Sequence, residues 1–257
     1  MGLPLATAFV LDLASKRHTH APTVFVPQGG GSGGGSSSIG PGLVFFGGVL
    51  LVALIAYLAY AMQRRRREGF RLMATQLGLE YSRDDPLGLL GYPFTLFTKG
   101  DGREVENIVW GAWEELDVIT FDFMYYEQNG KYRTDYPFDC AIVPIGADSP
   151  RLVIEHENLL TSLAGALAFH DLQFESEAFN DEYHVRCEVP KFANDVLDAR
   201  MMQWLLDNGS GYHFEVIGDR VLVAGPRIKP GELLGLLGVA RGFTQHVPKV
   251  VSSLYPG

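Results

Sequence analysis

The chain predicts an α+β protein: one N-terminal transmembrane helix, then a cytoplasmic domain in which an antiparallel β-meander packs with helices. Three observations predict it. Residues 43–62, LVFFGGVLLVALIAYLAYAM, run twenty positions without a charge and end at Arg64-Arg65-Arg66-Arg67. Residues 116–127 alternate, with Val118, Thr120 and Asp122 on one face and Ile119, Phe121, Phe123 and Tyr125 on the other, the period of a strand. Asn129-Gly130 is a strong hairpin signal between two such runs, because a tight primed turn needs positive φ.

The membrane segment follows from length and energy. At ~1.5 Å rise per residue, twenty residues cover ~30 Å, the hydrocarbon thickness of a bilayer. Eleven of the twenty are Leu, Val, Ile or Phe, and at ~0.3 to 0.6 kcal/mol each they favour insertion by roughly 3 to 6 kcal/mol. A buried core helix seldom runs this long without a polar residue. Tyr57 and Tyr60 fall near its basic end, where amphipathic rings prefer the interface. With Arg64, Arg65, Arg66 and Arg67 they form the expected membrane-interface set. Only Lys16 and Arg17 supply positive charge before the helix. The positive-inside rule therefore places the C-terminal side in the cytoplasm and the N-terminus outside, in a single-pass plasma-membrane protein.

The expected organisation has four parts. Residues 1–40 read as a disordered tail, Gly/Ser-rich at 29–38 (GGGSGGGSSS). Residues 3–11 are apolar, but the charges follow this run and Asp12 interrupts early, which argues against a signal peptide. Met1-Gly2 lacks the Ser or Thr at position 6 that myristoylation favours. Residues 43–62 are the transmembrane helix. Residues 63–80 form a basic juxtamembrane helix, with Phe70, Met73, Ala74 and Leu77 recurring at helical spacing. Residues 92–257 form the α+β domain.

Within that domain, strands are expected at 94–98, 103–113, 116–127, 136–145 and 152–155. Helices are expected at 158–168, 196–206 and from Pro230 to about Gln245. Residues 172–174 and 183–189 read as extended. Residues 214–217 and 221–224 read as a hairpin across Gly218-Asp219. Gly235, Gly238 and Gly242 make a smooth stripe on the last helix, expected to serve ordinary close packing.

Composition narrows the function. From Glu68 onward, 15 Lys and Arg face 29 Asp and Glu, a net charge of −14. Such a surface repels phosphate backbones, so no nucleic-acid partner is expected. Cys140 and Cys187 are the two cysteines. In a reducing compartment they read as buried thiols.

Several segments resemble a family of uncharacterised single-pass membrane proteins found mainly in actinobacteria. The resemblance rests on residues 171–185 (DLQFESEAFNDEYHV), 197–205 (LDARMMQWL), 99–111 (KGDGREVENIVWG) and 121–126 (FDFMYY), and covers roughly residues 94–254. It implies a conventional membrane anchor with a cytoplasmic α+β domain, and it implies no catalytic residues, because the family has no assigned activity.

No catalytic motif stands out, and neither a cofactor nor a metal is expected. Glu155 and Glu157 flank His156 on a strand and point away from it, so they do not orient its ring. His184 and Cys187 fall on opposite faces of a strand and have no second ligand pair nearby. Glu175, Glu177, Asp181 and Glu182 are acidic, but lack a calcium-loop pattern. Walker and H-E-x-x-H patterns are absent, and no G-x-S-x-G elbow occurs, because the serines of the Gly/Ser run at 29–38 are expected to lie in disordered chain. The expected function is a membrane-anchored protein-interaction or scaffold module, with the lipid bilayer and an unidentified protein as partners. A scaffold of this kind is expected to hold no buried cluster of titratable residues. The alternatives are a hydrolase or metal-dependent enzyme assembled from distant residues such as the 175–182 acids with His156 or His170, or a small-ligand sensor. An enzyme would show a deep pocket with convergent carboxylates and a histidine.

Overall fold

The computed structural model describes residues 41–156 and 171–257. The helix expected at 158–168, and His170, lie outside the described residues. The chain divides into two units, one ending at Arg65 and one spanning Arg66–Gly257.

Helix α1, Pro41–Leu77, supplies the described part of the first unit and opens the second. From Phe46 to Met62 its large apolar side chains are bare: Phe46 is 68% exposed and Leu50 70%. Among the described residues it is the one helix long and apolar enough to cross a membrane.

The second unit is α+β. Its strands are β1 (Glu80–Ser82), β2 (Gly102–Trp113), β3 (Leu116–Asn129), β4 (Tyr132–His156), β5 (Asp171–Leu172), β6 (Tyr183–Cys187) and β7 (His213–Gly225). Its later helices are α2 (Glu177–Glu182), α3 (Pro190–Val196), α4 (Ala199–Asn208), α5 (Leu233–His246) and α6 (Lys249–Leu254). All described pairings are antiparallel, in the order β1-β2-β3-β4-β6-β5, with β7 laid along β4. The meander predicted from the alternation of residues 116–127 is present. Asn129 pairs with Tyr132 across Gly130, which takes φ 62°. A second tight turn, at Glu114-Glu115, puts two non-glycine residues at φ 47° and 68°, a conformation that costs most side chains steric strain.

Three local expectations are corrected. Residues 94–98 do not form a strand; Thr95–Thr98 is a 3-10 turn. Its backbone is drawn onto the buried carboxylate of Glu215, a tertiary bond that an apolar run does not reveal. Residues 214–217 and 221–224 do not fold onto each other across Gly218-Asp219. They are halves of β7, which pairs with β4 throughout, from Asp139↔Gly225 to Ile154↔Phe214. Gly218, at φ 58°, accommodates the irregularity opposite Ser149, so a glycine with turn character serves a bulge here. Residues 136–145 and 152–155 are likewise one strand, β4, irregular between Pro144 and Leu152.

The sheet is buried on both faces. One face packs Phe70 and Ala74 of α1 with Phe192, Met201, Leu205, Leu237 and Phe243 from α3, α4 and α5. The other packs Phe94 and Phe97 on Phe121, Phe123, Tyr125 and Phe138. Capping agrees with local chemistry: Asp198 accepts from the Met201 N–H to start α4, and Ser176 from Phe179 N–H to start α2. Cys140 and Cys187 are free and buried, as expected. Of the α5 glycines, only Gly242 packs closely: a Cβ there would lie 2.5 Å from the Trp204 ring, whereas Gly235 and Gly238 meet nothing within 4 Å.

Candidate functional site: two buried ion-pair clusters

The helix face of the sheet carries the first cluster. Asp122 on β3 and Asp139 on β4 are direct register partners, so both carboxylates project to the same side. Their side chains are 3% exposed. Arg66 of α1 spans the pair. Its Nε and Nη2 donate to Asp122 at 2.8 and 2.9 Å, Nη2 also donates to both Asp139 oxygens at 2.8 Å, and Nη1 donates to the Ile228 carbonyl at 2.5 Å. Arg227 donates to Asp122 at 3.1 Å, and the Ile228 N–H donates to Asp139 at 2.7 Å. Asn107, held at φ 56° in a β2 bulge, donates to Asp122 and accepts from the Tyr81 hydroxyl.

Local packing brings Arg66 there. Gly69 admits Pro230 so closely that a Cβ would sit 2.7 Å from its ring. Phe70, one turn after Arg66, is buried and lies under the guanidinium at 4.8 Å. Burial and the neighbouring Asp122 charge push the Asp139 carboxyl up to about 7. Burial also opposes ionisation of Asp122, but Arg66 and Arg227 outweigh it and hold this carboxyl below its ordinary range. The recess beside the pair, lined by Phe70, Thr120, Phe121, Leu233 and Leu236, is too tight to seat a water molecule.

The opposite face carries the second cluster. Glu215 of β7, 0% exposed, accepts from the Thr95 N–H and hydroxyl at 2.8 Å and from Arg151 at 3.0 Å. Arg151 also donates to the Thr95 hydroxyl and the Pro93 carbonyl. Two residues back on the same face, His213 is fully buried, with Nδ1 3.9 Å from Glu155 and Nε2 3.9 Å from Glu215. These separations are too long for direct hydrogen bonds. Glu155 is instead paired with Arg186 of β6. Burial pulls the nearby Lys99 ammonium below its ordinary range. Burial opposes the charge on Glu215 too, yet His213 and Thr95 prevail and keep its carboxyl below the usual values.

The structure therefore holds two buried titratable clusters where an interaction scaffold was expected to have none. Sequence reasoning missed both. It placed Arg66 with Arg64, Arg65 and Arg67 in one collar. Arg64 and Arg65 are exposed, as are Tyr57 and Tyr60, whereas Arg66 and Arg67 are half-buried and Arg67 reaches Glu106 at 3.3 Å. A signal was present: Arg66 lies four residues before Phe70 on the apolar face of α1. Glu155 and His156 do point oppositely; His156 stands edge-on to Tyr183, away from the Glu155–Arg186 pair. Glu175, Glu177, Asp181 and Glu182 lie on the surface. Among the described residues, no group of three or more His, Cys, Asp or Glu is placed to hold a metal ion.

No protein-family model matches the chain, and no curated protein matches it. Among solved structures it is similar to the mycobacterial trehalose monomycolate transport factor A, TtfA, at 16% identity and a TM-score of 0.49, over 72% of this chain and 95% of that one.

Proposed function

We propose that the chain is a membrane-anchored interaction module, with its N-terminus outside and its acidic α+β unit in the cytoplasm. The observation that carries this reading is the exposure of the apolar stretch of α1. Eleven large hydrophobic side chains from Phe46 to Met62 are bare, far more than a water-facing helix tolerates. Arg64 and Arg65, with Tyr57 and Tyr60, then occupy the inner interface. The interaction role is supported by how the buried charges are used. Arg66, Arg151 and Arg186 each pair with a carboxylate of the same unit, which is structural work rather than the open convergence of groups that a reaction needs.

The test has two arms. A reagent that cannot cross membranes should fail to modify a tag after Gly257 on intact cells, and an alkaline wash should leave the chain in the membrane. Labelling on intact cells overturns the orientation, and release by the wash overturns the anchor. In-cell crosslinking followed by mass spectrometry should recover a reproducible protein partner, and recovery of the chain alone overturns the interaction role.

A further inference from the structure

We propose that Asp122 and Asp139 form a proton-operated catch on Arg66, gripping its guanidinium with two negative charges when both carboxylates are ionised and with one when they share a proton. The inference does not depend on the membrane reading, because every group in it lies within the unit Arg66–Gly257.

The geometry carries it. Two nearly inaccessible carboxylates sit opposite each other on adjacent strands, and one guanidinium bridges them. Like charges this close cannot both ionise without cost, and a proton on Asp139 hydrogen-bonded to Asp122 removes that cost. Other groups frame the pair without replacing Arg66. Arg227 approaches from the segment after β7, with its Nε 3.8 Å from Asp139. Asn107, Glu106 and Arg67 lie on the β2 side with Tyr81. Tyr212 and Glu232 lie on the Asp139 side, and Cys140 beneath the sheet.

Linkage sets the direction. Arg66 lowers the proton affinity of both aspartates. Coupling is reciprocal, so a proton on the pair must weaken the hold on Arg66. The whole fold responds oppositely. Asp139 takes up its proton at about 7 when folded, whereas an unfolded Asp does so near the ordinary ~3.9. Between those values the folded state binds more protons at this site, so the contribution of Asp139 to global stability rises as pH falls. Acidification thus loosens the end of α1, residues 66–77, while tightening the sheet around the pair.

Hydrogen exchange on the full chain in lipid nanodiscs separates the two effects. From about pH 8 to about pH 6, after correction for intrinsic rates, amides of residues 66–77 should lose protection on the order of tenfold, the factor that one pKa unit of linkage supplies. Amides of β3 and β4 should keep or gain protection. Asp139→Asn at the higher pH should match the wild type at the lower, and should lose the pH response. Protection of residues 66–77 that stays constant, or rises in step with the sheet, overturns the proposal. If Asp139→Asn does not fold, the carboxyl carbon signal of Asp139 in the wild type decides. A midpoint near neutrality, accompanied by a shift of the Arg66 Nε resonance, supports the catch. A midpoint below about pH 5 overturns it.

Discussion

Glu215 receives the backbone N–H of Thr95, 120 residues earlier in the chain, on both of its carboxylate oxygens at 2.8 Å. This bond fastens the 3-10 turn of residues 95–98 over one face of the sheet, and so carries Phe94, Leu96 and Phe97 into the core.

Replacing Glu215 by Ala should therefore destabilise the unit by about 3–5 kcal/mol, because Arg151 loses its buried partner and the Thr95 donors go unsatisfied. Glu215→Gln keeps the shape and one acceptor and should cost less, roughly 1–3 kcal/mol. Denaturant unfolding of the detergent-solubilised chain measures both. The pH dependence follows from the direction of the carboxyl shift. A carboxylate held below its ordinary range contributes fully above the unfolded value, and that contribution disappears as pH falls through the folded one. Glu215→Ala should flatten the acid limb of the stability profile, and an unchanged limb would show that the cluster is not coupled to ionisation.

Arg66 and Arg65 are neighbours with opposite duties. Arg66→Ala leaves Asp122 and Asp139 facing each other with one guanidinium fewer, which should cost about 3–5 kcal/mol. Arg65→Ala, at an exposed position, should change the stability of the folded unit by less than ~0.5 kcal/mol. Arg66→Lys should not restore the loss, because a point charge cannot bridge two carboxylates as the planar fork does. Combining Arg66→Ala with Asp139→Asn should cost less than the sum of the two, by 0.5 kcal/mol or more on the ~0.5–3 scale of direct contacts, and strict additivity would remove the pairing from the account.

The parts of this fold that were legible are those written in local periodicity. Val118 to Tyr125 alternate and form β3; Met201, Trp204 and Leu205 recur at helical spacing and lie in α4; Asp198 caps it. What stayed hidden depends on partners distant in sequence. Nothing near Gly218 says that β4 will pair with both halves of β7, so its turn chemistry was read as a hairpin instead of a bulge. Asp122 was placed on the correct face of its strand, but its partner across the ladder, Asp139, is set by the register of the β3–β4 hairpin. Four consecutive arginines look equivalent in a sequence. Only the turn of the helix distinguishes Arg66 and Arg67, which reach carboxylates of the sheet, from the exposed Arg64 and Arg65.

The glycines of α5 give the sharpest contrast between pattern and packing, because three similar positions are expected to respond with opposite sign. Gly242 touches the Trp204 ring, which is also stacked on His246 at 5.2 Å. A methyl group at 242 must displace a large ring wedged between α4 and α5, so Gly242→Ala should destabilise by about 1–3 kcal/mol. Gly238 has open space where its Cβ would lie. Gly238→Ala should stabilise by about 0.5–1 kcal/mol, by restricting the unfolded chain and raising helix propensity. Gly235, open in the same way, should follow Gly238. Thermal melts of the three variants decide the matter. If Gly242→Ala gains stability with the others, Trp204 is not held against α5, and the close approach is not what selects glycine there.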